Sequence, residues 1–510
     1  MSKNRQLLPL TGEGRCPLLA SSEARRFTAP AAASQSEARR RLKSHRLIDG
    51  SSALDAAHAA ALRFLDGLGE RKVGASADGE AMRAALGGPL PEEGEPADKV
   101  VTDLAVNADA GLSATAGPRF FGFVIGGSLP AAVGADWLTS AWDQNSGLFV
   151  LSPAAAVVEE TARGWLVELL GLPAGVSLGF VTGGQMANTT CLAAARHAVL
   201  AAVGWDVEAR GLVGAPRVTV LAGDGAHVTV YGALRLLGFG DASVTKVTTD
   251  VHGRMRPDSL AAALAACDGP VIVCAQAGDV NTGAFDPLRE VVRVARSREN
   301  VWVHVDGAFG LWAAASAKRR HLVDGLEGCD SWATDAHKWL NVPYDSGLAF
   351  VRDEASHRAS MARTAAYLQK STTDRDNYEF TPEFSRRARG FPVYAALRSL
   401  GRRGVEAMID RCCDHALRFA ELLSAAPGVQ VVNDVVLNQV LVRFEAAGGG
   451  AQAGDQRTRD VIARVQEDGT CWLSGTVFRG LAHMRISVRN WSTTDDDVRR
   501  SAAAVLAAQR

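Results

Sequence analysis

The chain has eight cysteines in 510 residues, and none forms a C-x-x-C pair or a zinc-ligand spacing. Cys16, Cys191, Cys267, Cys274, Cys329, Cys412, Cys413 and Cys471 read as scattered reduced thiols. That usage excludes a disulfide framework, gives no reason to expect a metal, and suits a reducing cytoplasm. No stretch reaches eighteen uninterrupted apolar residues, and the run near Ala131 to Trp142 carries Asp136, so no membrane span is expected. Leu7-Leu8-Pro9-Leu10 is too short for a secretory core. Charge of one sign is not in excess: 55 Lys and Arg face 56 Asp and Glu, for a formal net charge of −1. No global field therefore favours nucleic acid or an anionic membrane. What remains is an ordinary globular balance, 47% hydrophobic and 22% charged, long enough for two or three domains.

Residues 1 to about 45 mix Ser, Ala, Arg and Pro with weak periodicity and read as a mobile arm. Ala53 to Leu68 and Glu80 to Leu86 look helical, with Gly87-Gly88-Pro89 and Pro91 to Pro96 as breaks. From Gly111 onward short apolar runs alternate with amphipathic segments. Strands are predicted over Gly179–Thr182, Arg217–Ala222, Val244–Thr248, Pro270–Ala275, Val301–Val305, Ser331–Thr334 and Gly347–Val351. Helices are predicted over Ala193–Val203, Val228–Leu237, Asp258–Cys267 and Leu288–Arg296. The alternation argues for an α/β architecture, a parallel or mixed sheet with helices on both faces and ligands at the strand ends. After Tyr394 a long helical pattern, Ala395 to Leu423, leads into strand-like runs over Val429–Val432, Gln439–Phe444, Cys471–Thr476 and Met484–Val488. Thr494 and the acids after it open a last helix. The expected division is an N-terminal arm and helical segment over 1–112, a large domain over 113–365, and a loop with a smaller α+β domain over 366–510.

Four features inside this frame carry chemistry. Lys338, between His337 and Trp339, offers an amine that can capture an aldehyde. Asp306 closes the strand Val301 to Val305, and a carboxylate there can keep a pyridine nitrogen protonated. Ala308 just beyond is small enough for a flat ring to approach. His227, after the strand Arg217 to Ala222, can stack on a ring face. Thr182-Gly183-Gly184-Gln185 is a strand-to-helix turn of the kind that binds phosphate. Each also has a plainer reading: a surface lysine, a helix cap, a satisfied histidine, a tight turn. Together they describe a binding site for pyridoxal 5'-phosphate.

The order of these features resembles the group II pyridoxal-phosphate decarboxylases, the family of aromatic-amino-acid and glutamate decarboxylases. The resemblance covers about residues 100 to 490 and rests on Pro118-Arg119-Phe120-Phe121-Gly122-Phe123, Thr182 to Asn188, Ala277-Gly278 with Gly283-Ala284-Phe285-Asp286-Pro287, His304 to Ala308, and Asp335 to Leu340. It implies the aspartate-aminotransferase-like fold (fold type I), a homodimer with sites at the subunit interface, and release of carbon dioxide from an L-amino acid. It implies that Gly184 and Gln185 help hold the cofactor phosphate, that His337 lies near it, and that Asn281 lines the pocket. His227, Asp306, Ala308 and Lys338 match the stacking, pyridinium, ring-facing and attachment positions. Phe120, Phe121 and Phe123 resemble the apolar wall that meets the substrate side chain. A mobile loop in the family carries a tyrosine that protonates the product carbon. Tyr378 fits that place by its spacing to Ser385-Arg386-Arg387-Ala388-Arg389, with Tyr367 as the alternative. Two departures bear on substrate contacts and packing: Gly117 stands where the family often has His before the Phe block, and Gly307 where Ala is common.

The Phe wall and His-Lys-Trp favour an aromatic or bulky apolar L-amino acid. The Gly-Gly turn and Gly-Ala-Phe-Asp-Pro favour a glutamate- or aspartate-type substrate. An aminotransferase or aldehyde-forming enzyme keeps the cofactor and changes the outcome. A non-catalytic cofactor-binding homologue is the cross-class alternative, and the intact Lys338, Asp306 and His227 argue against it.

Overall fold

Branched apolar runs bounded by glycine and polar turns form the strands of the main sheet. In the structure, a computed structural model describing residues 51–366, 368–446 and 448–510, these are β1 (Ser177–Val181), β2 (Thr219–Gly223), β3 (Val244–Val247), β4 (Val271–Gln276), β5 (Val301–Asp306), β6 (Ser331–Asp335) and β7 (Gly347–Val351). Their order is β1-β7-β6-β5-β4-β2-β3. The pairs from β6 through β5, β4 and β2 to β3 are parallel, and β7 runs antiparallel to both its neighbours. All seven predicted strands are present, with ends shifted by up to two residues.

Alternate strand residues go to opposite faces. Val271, Val273 and Ala275 pack into one core with Leu166 and Val291, whereas Ile272 and Cys274 pack into a second with α1 (Gly184–Ala201) and α2 (Val228–Leu236). Helices thus cover both faces, and the strands are buried throughout the middle of the sheet.

A second sheet, ordered β10-β11-β9-β8, is antiparallel: β8 (Val429–Val431), β9 (Gln439–Phe444), β10 (Ser474–Phe478) and β11 (Leu481–Ser487). It packs with α3 (Gly390–Ser424), α4 (Gly450–Asp468) and α5 (Asp495–Gln509). Thr494 and Asp497 form the capping box that opens α5. The sequence did not suggest α4, and it placed β10 three residues early and β11 three residues late at their N-terminal ends. The pair is a tight hairpin turning at Arg479-Gly480.

By backbone contacts the described residues divide into two units, one of 51–59 and 91–103 and the other of 60–90 and 104–510. Helices Ser51–Gly67, Gly79–Leu86 and Ala97–Ala108 precede the sheet and bury no residue. The arm expected over 1–45 lies outside the described residues. Among the described residues no helix is long and apolar enough to cross a membrane.

Candidate active site

Parallel strands that end together converge their loops at one edge of the sheet. β4, β5 and β6 deliver Asn281, Asp306 and Lys338 there, around a cavity of about 450 Å³. His227 and Ala308 line the same cavity. Asp306 is 5% exposed; one of its oxygens accepts the Ala308 N–H at 3.2 Å and the other the Asn188 amide at 3.1 Å. Lys338 Nζ stands 2.8 Å from Asp335 Oδ2. The backbone of Lys338 is overlaid by Gly126, where a Cβ would fall 1.8 Å from the Lys338 carbonyl oxygen, so only glycine fits.

His227 caps α2 and takes the Thr229 N–H on Nδ1 at 3.3 Å. Burial holds its pKa below the usual histidine value; the Asp306 charge opposes that shift and the Lys338 charge adds to it. The ring is therefore held neutral and suited to stacking.

Gly183 caps α1 without a side chain, which leaves first-turn N–H groups for an anion. Gly184 presses on the end of β6, where a Cβ would lie 2.7 Å from Asp335 Oδ2. His337 stacks on Tyr344 at 4.3 Å, accepts the Ser346 N–H on Nδ1, and turns Nε2 toward Asp335 Oδ1 at 3.4 Å. That Oδ1 is buried and finds no hydrogen-bond partner among the described residues. Gln185 follows on the first turn of α1, with its amide beside Gly232 of α2.

Three expectations change. Of the Phe block only Phe123 lines the cavity, half-exposed and with φ 49°. Phe121 is a core residue packed edge-on against Phe419, and Phe120 stacks on Trp472 at 5.0 Å, because the backbone pairing of Phe120 with Trp472 fixes which way each ring turns. Tyr378 is not in the cavity. It is 2% exposed, packed on Phe384, with a hydroxyl that finds no hydrogen-bond partner among the described residues. Asp376 pins this segment by accepting the Phe149 and Ser371 N–H groups, and Arg386 makes a bidentate pair with buried Glu159. Tyr367 lies outside the described residues.

Other lining residues were missed by sequence reasoning. Arg485 of β11 and Thr476 of β10 reach the cavity from the second sheet. Arg485 is 9% exposed and donates to the Val280 carbonyl at 3.2 Å; burial lowers its pKa while Asp279 opposes. Thr476 donates to Asn281 Oδ1 at 2.8 Å and so orients that amide. An arginine inside the apolar run Met484-Arg485-Ile486 was the available signal. Among the described residues no cluster of three His, Cys, Asp or Glu side chains is placed to hold a metal ion.

A cavity with an amine, a buried acid, a neutral imidazole and an uncapped helix N-terminus fits a ligand carrying an aldehyde, a ring nitrogen and a phosphate. This is the site of a pyridoxal-phosphate enzyme of fold type I. The profile described as the pyridoxal-dependent decarboxylase conserved domain matches residues 80–446, and the chain belongs to that family. L-2,4-diaminobutyrate decarboxylase of Rhizobium meliloti is 32% identical over 382 residues, 73% of this chain and 74% of that protein. Aromatic-L-amino-acid decarboxylase of Bacillus atrophaeus is 28% identical over 444 residues, 84% and 89% of the two chains. The crystal structure of Oryza sativa TDC with PLP and tryptamine matches at a TM-score of 0.84 and 26% identity, over 91% of this chain and 99% of that one. The protein is a pyridoxal-phosphate-dependent amino-acid carboxy-lyase.

Proposed function

We propose that the substrate is an L-amino acid with an aromatic or bulky apolar side chain, decarboxylated by a cytoplasmic homodimer. The observation that carries this is the lining of the cavity: Phe123, Ile125, Val280 and Phe309 form its apolar part, and its cations among the described residues are Lys338 and Arg485. Lys338 serves the cofactor, so Arg485 remains for the single carboxylate of an apolar amino acid. A glutamate-type substrate would bring a second carboxylate with no cation to meet it. The Rhizobium meliloti relative is named for a basic substrate. Here Asp279 is occupied with the Asn281 and Thr282 N–H groups, which leaves a side-chain ammonium without a ready acid.

When bound, pyridoxal phosphate supplies the electron sink that accepts the pair released with carbon dioxide. Lys338 Nζ would hold it, the first turn of α1 (Gly184, Gln185) would hold its phosphate with His337 nearby, and Asn281 would line its pocket. Asp306 would keep a proton on the ring nitrogen. His227 offers a neutral ring, and Ala308 leaves space for the cofactor's flat ring. Arg485 orients the substrate by its carboxylate, and the apolar lining excludes water around it. Proton return to the product carbon is assigned to Tyr367, since Tyr378 is buried outside the cavity.

The homodimer is supported by a groove lined by Phe64, Leu65, Val106, Leu112, Val133 and Trp137, an apolar surface suited to a second copy. Cytoplasmic residence is supported by the cysteines: among the described residues seven are free, six of them buried. A carbon-dioxide-release screen across amino acids tests the substrate reading: phenylalanine, tyrosine or tryptophan should give one carbon dioxide per amine. Preference for glutamate, or keto acid without carbon dioxide, would contradict it. Light scattering should give twice the 53.7 kDa chain mass.

A further inference from the structure

β5 continues beneath the acid. Its period of two puts Trp302, His304 and Asp306 on one face, the face covered by α1, and the parallel register with β6 sets Ser331 beside His304. All four are buried, as is Asn188 of α1. Trp302 Nε1 lies 2.9 Å from Ser331 Oγ, Ser331 Oγ 2.9 Å from His304 Nδ1, His304 Nε2 2.9 Å from Asn188 Oδ1, and Asn188 Nδ2 3.1 Å from Asp306 Oδ2.

Chemistry at the two ends fixes every proton between them. An indole N–H can only donate and a carboxylate can only accept. Asn188 must therefore turn its NH₂ to Asp306 and its carbonyl to His304. His304 must carry its proton on Nε2. Burial pushes its pKa down to about 3, so Nδ1 is bare and accepts the Ser331 hydroxyl. Ser331 in turn accepts from Trp302. We propose that Trp302, Ser331, His304 and Asn188 are positioning residues, a one-way chain of donors that holds Asp306 as an anion aimed at the cofactor's ring nitrogen; this rests on the role given to Asp306 above. The other ionisable groups that share the cavity with Asp306 are His227, Lys338, Tyr344 and Arg485, and the thiols of Cys191 and Cys274 lie behind it within α1 and the sheet. Burial and the Asp306 charge push both thiols up, so neither competes as an anion.

The first test uses the wild-type holoenzyme. Nitrogen-15 NMR of labelled histidine, with His304 assigned by difference from His304→Gln, should show an Nε2–H tautomer that does not titrate between about pH 5 and pH 9. An Nδ1–H tautomer, or titration inside that range, would overturn the chain of donors. The second follows bound-cofactor absorbance against pH. Weakening the hold on Asp306 leaves the ring nitrogen less fully protonated and less electron-withdrawing, so the midpoint should rise. Asn188→Ala should raise it by about one pH unit, and Ser331→Ala, a minimal change two bonds further out, by less in the same direction. In both, kcat should fall about ten-fold with KM within two-fold. Loaded variants with wild-type midpoints and kcat would sink the proposal alone. A wild type that binds no pyridoxal phosphate would instead sink the reading of the site on which it rests.

Discussion

Arg485→Gln removes the guanidinium assigned to the substrate carboxylate and leaves β11 in place. The structure sets the size of the effect. Among the described residues Arg485 donates one hydrogen bond, from Nη1 to the Val280 carbonyl, and it lines the cavity, which leaves its other Nη donor for a ligand. Hydrogen bonds to a charged group contribute about 1.5–3 kcal/mol, so kcat/KM should fall about ten- to hundred-fold. Because burial of this cation is a cost in the free protein, Tm should stay within about 2 °C of the wild type. Steady-state carbon dioxide release at several substrate concentrations, beside a melting curve of the cofactor-loaded protein, measures both. Unchanged kcat/KM would refute the role given to Arg485. A large loss of Tm with loss of cofactor would show that the residue holds the two sheets together instead.

Other outcomes follow from the same geometry. Tyr378→Phe should leave turnover and Tm essentially unchanged, because the hydroxyl it loses is buried and unbonded, whereas Tyr367→Phe should abolish amine formation; the two variants are compared in one carbon dioxide assay. Glu159→Gln leaves the buried Arg386 guanidinium without its carboxylate and should cost about 3–5 kcal/mol, read as a lower urea midpoint. Acid should destabilise the fold. Burial pushes His304 and His357 down to about 3, so between about pH 6.5 and that value the unfolded chain binds two protons the native state refuses. Asp286, pushed up to about 7 by burial, is protonated only in the native state above about pH 3.8 and cancels one of them. Burial also lowers His227, His337, His415 and His483, which adds in the same direction, so the loss is at least about 1.4 kcal/mol per pH unit as pH falls from 6.5 to 4, and a flat urea midpoint over that range would contradict it.

Much of the sheet was legible because its strands are buried on both sides and read as short apolar runs. Lys338, Asp306 and His227 were legible for a related reason: each follows such a run, where a polar group meets a cavity. The sequence alone did not say which ring of the Phe block meets the cavity and which ones pack in the core. Phe123 reaches the cavity only through a left-handed backbone, while Phe120 and Phe121 go to packing. Tyr378 was expected on a mobile loop because its stretch is polar, and the structure buries it. The carboxylate of Asp376 and the Arg386–Glu159 pair instead tie that stretch to the large sheet's helices. Arg485 was missed because it comes from a different sheet, far along the chain from Lys338, and nothing local in sequence joins them. Helix α4 was missed because it starts within Gly448-Gly449-Gly450, which reads as loop.

Attachment of pyridoxal phosphate through Lys338 underlies the whole mechanism. Borohydride reduction of the loaded protein followed by peptide mapping should place the label on the lysine of the peptide containing Asp335-Ala336-His337-Lys338, and Lys338→Ala should take no label. A label on another lysine, or a wild-type protein that takes none, would contradict it.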